Sequence, residues 1–180
     1  MKTLVIVSHP YPEQSNAITA LQTVAGQGDN IEVRNLEALY GNNLGGFDVA
    51  AEQKAYQGVD RVVYLFPIHW FNLTPMLKAY LNQVWSYGWA FGPDGRALKG
   101  KEMLVVVTAG AAEHTYSDSG LVKSTIEEVL TPMKASALYV GMHYAKPLAL
   151  FEAMGVSAER LADFSNAFMS HLTAPLGSRA

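Results

Sequence analysis

The sequence predicts an α/β fold in which five parallel strands form one sheet covered by helices on both faces. Three observations predict it. Residues 4–7, 62–66 and 103–107 are short, nearly unbroken apolar runs rich in valine, the composition of strands buried on both faces of a parallel sheet. Segments with apolar residues at helical spacing lie between such runs, giving the alternation β-α-β-α-β-α-β-α-β-α. Proline, glycine or small residues follow each run before a capping residue opens the next helix. With 180 residues, 49% of them hydrophobic and 16% charged, residues 1–180 make one domain large enough to bury such a sheet.

The elements follow in order. Residues 4–7 are a first buried strand, and Ser8-His9-Pro10-Tyr11-Pro12-Glu13-Gln14 is a proline-broken loop at its carboxyl end. Ser15 or Asn16 caps a helix with Ile18, Leu21 and Val24 on one side, ended by Gly26 and Gly28. Residues 31–34 alternate as an edge strand does, and residues 36–47 form an irregular crossing before Asp48 caps a short helix reaching about Tyr56. The third strand, 62–66, stops at Pro67. Thr74 and Pro75 then start a helix over about 75–87, because a hydroxyl caps free amides and proline loses nothing at the first position. Its apolar face is Met76, Leu77, Tyr80, Leu81, Val84 and Trp85, broader than one sheet contact requires, which points to a partner surface. The fourth strand is 103–107. Val122, Ile126, Val129 and Leu130 mark a helix stopped by Pro132, and Ala137, Leu138, Tyr139 and Val140 read as the last strand. Ser157 caps the final helix, with Val156 and Leu161 as a hydrophobic staple and Leu161, Phe164, Phe168 and Leu172 on its core face.

Three loops carry the chemistry, those after the first, third and fourth strands, which converge at the carboxyl edge where open α/β sheets bind ligands. The first leads into a capped helix with no acidic residue in its first turn, a cradle for phosphate. There is neither a Walker motif nor a glycine-rich dinucleotide fingerprint, so serine, asparagine and backbone would hold that phosphate rather than lysine. The second loop, residues 67–73, contains Ile68, Trp70, Phe71 and Leu73, an apolar set suited to a flat ligand. The third begins with the small residues Thr108, Ala109, Gly110 and Ala111, which let backbone amides approach a ligand, and continues through Glu113, His114, Thr115, Tyr116 and Ser117. Tyr87-Gly88-Trp89-Ala90-Phe91-Gly92 reads as a satellite hydrophobic cluster or, more sharply, as a wall of a ligand site or a dimer interface.

Composition excludes other classes. A net charge of -3 with 13 scattered basic residues carries no nucleic-acid footprint. No cysteine is present, which rules out disulfides and thiolate chemistry and suits a reducing cytoplasm. Residues 1–7 are too short an apolar stretch for a signal peptide, and no run approaches the ~20 residues that span a bilayer.

Residues 66–71 (Phe-Pro-Ile-His-Trp-Phe), Pro75-Met76-Leu77-Lys78, Gly88-Trp89-Ala90-Phe91-Gly92, Leu98-Lys99-Gly100-Lys101 and Thr108-Ala109-Gly110 together resemble the flavodoxin-like NAD(P)H:quinone oxidoreductase family. The opening His9-Pro10-Tyr11-Pro12 is similar to that of a small bacterial branch which includes the ancillary flavoproteins of glutathione-gated potassium efflux systems. The resemblance runs from about residue 3 to about residue 145. It implies a three-layer sandwich with strand order 2-1-3-4-5, a bound FMN or FAD, a homodimer with the site at the subunit interface, NAD(P)H as electron donor and a quinone-like acceptor. The short chain and the lack of a clear adenine site favour FMN. It further implies that His9 with Ser15, Asn16, Ala17 and Ile18 holds the flavin phosphate, that Pro67, Ile68, His69, Trp70 and Phe71 run along the ring, that Thr108 to Ala111 meet its pyrimidine side, and that Tyr116 is the active-site tyrosine. A membrane potassium efflux transporter is a further possible partner under this resemblance, with the chain cytoplasmic and held at the inner membrane through it. Three departures stand out. Glutamine is common in the family where this chain has His69, the family's Thr-Thr-Gly-Gly run is Thr108-Ala109-Gly110-Ala111, and the histidine that accompanies the tyrosine in mammalian members falls at Val122, leaving His114 as a substitute.

Overall fold

A computed structural model describes residues 1–177. Its central sheet is parallel throughout and contains β1 (Thr3–Val7), β2 (Ile31–Asn35), β3 (Arg61–Pro67), β4 (Glu102–Thr108), β5 (His143–Tyr144) and β6 (Leu148–Leu150), in the order β2-β1-β3-β4-β5 with β6 also paired to β4. The three central strands are buried along their whole length. Successive side chains point to opposite faces of a strand, so each apolar run supplies both cores at once. Leu4, Ile6, Val62, Tyr64, Phe66, Met103, Val105 and Val107 face one side. They pack under α2 (Leu36–Tyr40), α3 (Val49–Ala55), α4 (Pro75–Val84), α5 (Ile126–Val129) and α6 (Thr131–Tyr139). Val5, Val7, Val63, Leu65, Leu104 and Val106 face the other, under Ile18, Leu21 and Ala25 of α1 (Asn16–Gly26) and Phe168 and Leu172 of α7 (Ala158–Thr173).

The capping residues read from the sequence are those used. Ser15, Asp48, Thr74 and Ser157 each accept an amide from the first turn of their helix. The crossing at 36–47 is partly regular, because the Asn35 side chain accepts the Ala38 amide and opens α2.

Two expectations are overturned. Ala137, Leu138 and Tyr139 belong to α6, not to a strand, and Val140 is the residue that ends that helix. The helix marked by Ile126 and Val129 does end before Pro132, as α5, though it starts at Ile126 rather than at Val122, and Pro132 itself lies in the first turn of α6, where its missing amide costs nothing. Gly141 at φ +77° closes the helix: its amide bonds to the Leu138 carbonyl and that of Met142 to Ala137, the paired bonds of a glycine-terminated helix end. The fifth position of the sheet is instead filled by two short pieces, β5 against Glu102 and Met103 and β6 against Val106 to Thr108. The broad apolar face of α4, expected to meet a partner, is buried within the chain. Phe47 from the crossing packs edge-on against Tyr80 at 5.5 Å, and Trp85 against Tyr64 at 6.3 Å.

Candidate functional site

The loops after β1, β3 and β4 enclose a cavity of about 350 Å³ at the carboxyl edge of the sheet. Its lining includes His9, Ser15 and Asn16 from the first loop and helix, Pro67, Ile68 and His69 from the second, and Thr108, Ala109 and Gly110 from the third. Nine residues singled out from the sequence are thus brought to one space, a volume within the ~300–1,000 Å³ of small-molecule sites.

The first wall is a helix N-terminus. The Ser15 hydroxyl accepts the Ile18 amide at 3.2 Å and the Ser15 carbonyl accepts that of Thr19, which leaves the amides of Asn16 and Ala17 without an intrahelical partner. No acidic residue sits in this first turn to oppose an anion. Ala17 and Ile18 are buried beneath, packing the helix onto the sheet rather than lining the cavity. His9 Nδ1 accepts the Tyr11 amide at 3.0 Å, so in the neutral ring the proton is on Nε2. Burial, and then the neighbouring His69, hold the His9 ring below the usual histidine range.

The second wall is a tight reversal. His69 and Asn72 exchange both backbone hydrogen bonds, at 3.0 and 2.9 Å, and Trp70 and Phe71 between them have φ of +46° and +61°. Two positive φ values define the mirror-image hairpin turn that asparagine and glycine normally occupy. Here it is forced on two aromatic residues, a strained arrangement of the kind that accumulates at ligand sites. Trp70 is 94% exposed and Phe71 45%, and both stand outside the cavity lining.

The third wall is held from behind. Ile68 donates to the Thr108 carbonyl at 2.8 Å, Ala109 to Leu150 at 2.9 Å, and Ala153 back to Ala109 at 3.0 Å. Gly110 is exposed, and the nearest atom to a Cβ placed there would be Met154 Sδ at 3.8 Å, an ordinary contact. Ala111 accepts the Glu152 amide and lies behind the lining. His114 is exposed on a short turn over Glu113–Thr115 and does not reach the cavity. Tyr116 is buried, packed edge-on against Phe71 at 6.2 Å and against Phe151 at 5.5 Å, and burial raises its phenol above the ordinary range.

Three lining residues escaped the sequence reading: Gln14, Ala153 and Met154. Ala153 and Met154 follow β6, and the apolar residues 148–151 just before them were the signal for that strand. A buried hydroxyl relay was also missed. Ser8 donates to Glu37 Oε1 at 2.8 Å and lies 2.5 Å from Thr74 Oγ1, so Thr74 donates to Ser8 while capping α4. This ties the end of β1 to the start of α4, and with it the first wall to the second.

A family described as having the flavodoxin-like fold matches residues 1–172. Among curated relatives, the uncharacterized NAD(P)H oxidoreductase YdeQ of Bacillus subtilis is 35% identical over 173 residues, covering 96% of this chain and 87% of its own. The glutathione-regulated potassium-efflux system ancillary protein KefF of Klebsiella aerogenes is 36% identical over 148 residues, covering 82% and 81%. Among solved structures, general stress protein 14 of Treponema denticola in complex with FMN superposes with a TM-score of 0.89 at 35% identity, covering 97% of this chain and 99% of that one. An NADPH-quinone reductase from P. pentosaceus superposes at 0.88 with 27% identity, covering 98% and 100%. The chain belongs to the flavodoxin-like fold family and, within it, to the group that includes the NAD(P)H oxidoreductase YdeQ.

Proposed function

We propose that this chain is an FMN-dependent NAD(P)H:quinone oxidoreductase working as a homodimer, with the flavin in the 350 Å³ cavity. The observation that carries the reading is the junction, in one cavity, of a helix N-terminus free of acidic residues with the Pro67–His69 edge and the small residues Thr108–Gly110. The residues present fit the group. Free amides of Asn16 and Ala17, the Ser15 hydroxyl and His9 Nε2 offer donors to a phosphate, and the apolar Pro67 and Ile68 edge suits a flat ring. General stress protein 14, which binds FMN, supports the choice of cofactor.

Held there by Ser15, Asn16 and His9 at its phosphate and by residues 67–69 and 108–110 along its ring, FMN would supply the two-electron redox chemistry between NAD(P)H and a quinone. The chain's part is positioning and charge. Backbone groups of residues 67–69 and 108–110 would orient the ring, and Tyr116, which lies behind Phe71 and outside the cavity lining, would supply a hydroxyl to developing negative charge. Tyr87 and Tyr139, 70% and 77% exposed and linked through Phe91, offer a second copy an aromatic face on the amino-edge side of the sheet, away from the cavity.

The test is a half-reaction cycle. NAD(P)H should bleach the FMN band of the reconstituted protein and a soluble quinone should restore it. Tyr116→Phe should keep the flavin bound while slowing turnover about 10²-fold; unchanged kinetics would remove Tyr116 from the mechanism. A second role, docking to a potassium efflux transporter, is favoured by the relation to KefF, and co-purification with such a transporter is its check.

A further inference from the structure

We propose that anionic ligands enter this cavity together with a proton: His9 and His69 act as a coupled pair that becomes cationic when a phosphate monoester binds. The inference rests on the flavin reading and deepens it. Both rings line the same cavity, and no other lining residue is ionisable: Gln14, Ser15, Asn16, Pro67, Ile68, Thr108, Ala109, Gly110, Ala153 and Met154 complete the set. The site therefore contains neither a lysine or arginine to neutralise a phosphate nor a carboxylate to repel one. Any compensating charge from the lining must arrive as a proton on imidazole.

Charged groups on the surrounding elements leave this conclusion in place. Glu13 lies in the short turn Pro12–Gln14 and acts on His9, but its side chain does not line the cavity. Glu152, beside Ala153, is engaged by Arg160 at 3.2 Å, and Glu113 and His114 stand on an exposed turn away from the lining. The first turn of α1 has no acidic residue.

His9 is disfavoured as a cation by its own surroundings. Burial and the mutual proximity of the two rings oppose a charge on His9, whose Nδ1 is already committed to the Tyr11 amide. The His69 side chain lines the same cavity and has no hydrogen-bond partner among the described residues. A phosphate dianion reverses the balance, because each imidazolium then gains a charge-assisted hydrogen bond.

Proton uptake is measured directly by titration calorimetry at pH 7 in two phosphate-free buffers of different ionisation enthalpy. FMN is one probe and riboflavin, which lacks the phosphate, the other. The expected result is net uptake of a fraction of a proton with FMN and none with riboflavin. His9→Asn and His69→Gln should each reduce the uptake, and the double variant should abolish it. His9→Asn should also weaken FMN about 10- to 100-fold while riboflavin stays within about twofold, the spread expected for losing a charged hydrogen bond. Each variant's fold is checked by circular dichroism, and His69→Gln keeps the test open if His9→Asn does not fold. FMN binding with no net uptake, or equal uptake in the double variant, would overturn the proposal and leave the flavin reading standing. Failure of both flavins to bind the wild-type chain would overturn the two together.

Discussion

At the residue scale, three side chains carry measurable consequences. His9 is depressed below its ordinary value of 6.5 by burial and by His69, so the unfolded chain binds more protons than the folded one as pH falls past 6.5. Stability of the ligand-free protein should therefore be full above pH 6.5 and fall as pH drops through the folded-state value, and His9→Asn should flatten that dependence in thermal melts at pH 5 to 7.5. Trp70 and Phe71 occupy left-handed backbone that suits asparagine and glycine. Replacing the pair by Asn-Gly should relieve roughly 1–2 kcal/mol of strain and raise Tm by a few degrees. The same change should weaken flavin binding, because the exposed indole and the ring that covers Tyr116 are gone. A variant that gained stability and kept its flavin affinity would show that the strain serves something other than the ligand.

At the element scale, the packing of α7 onto the sheet depends on one buried cation. Arg61, 3% exposed at the start of β3, pairs with Glu102 at 2.6 Å and donates to the carbonyls of His171 and Leu172 in the last turn of α7. Those carbonyls have no partner within the helix, and a cation is favoured at that end. Arg61→Ala leaves the Glu102 carboxylate with little compensation, a loss of about 3–5 kcal/mol. Tm should fall by roughly 10 °C. FMN affinity should hold, since the pair lies at the amino edge of the sheet and the cavity at the carboxyl edge. The same scale explains what could be read from the sequence. The helix starts at Ser15, Asp48, Thr74 and Ser157 were legible because a cap is a local signal. The segment 131–150 was not. Ala137 to Val140 are apolar enough for either state, and the decision fell to Pro132 and Gly141 as a paired start and stop. The pieces at 143–144 and 148–150 are too short for any periodicity to show.

At the scale of the whole molecule, the order β2-β1-β3-β4-β5 follows from continuous apolar strands joined by helical crossovers, and it is this order that gathers the three loops. Nine of the residues singled out as site candidates meet in one cavity because the topology places their strand ends side by side. What the sequence withheld is long-range. The contributions of Gln14, Ala153 and Met154, the Ser8–Glu37–Thr74 relay and the burial of the α4 face depend on residues far apart in the chain. They could not be seen before those segments were brought together.

The measurement that most directly tests whether this cavity is the flavin site is an equilibrium titration of FMN into the ligand-free protein, followed by flavin fluorescence, in the wild type and in Gly110→Ala. The new methyl group meets nothing nearer than Met154 Sδ at 3.8 Å, so the variant should keep its Tm within about a degree. Saturable binding by the wild type, weakened tenfold or more in Gly110→Ala, is the predicted result. Absence of saturable binding would contradict the account outright, and equal affinity in the two proteins would move the flavin away from the Thr108–Gly110 wall.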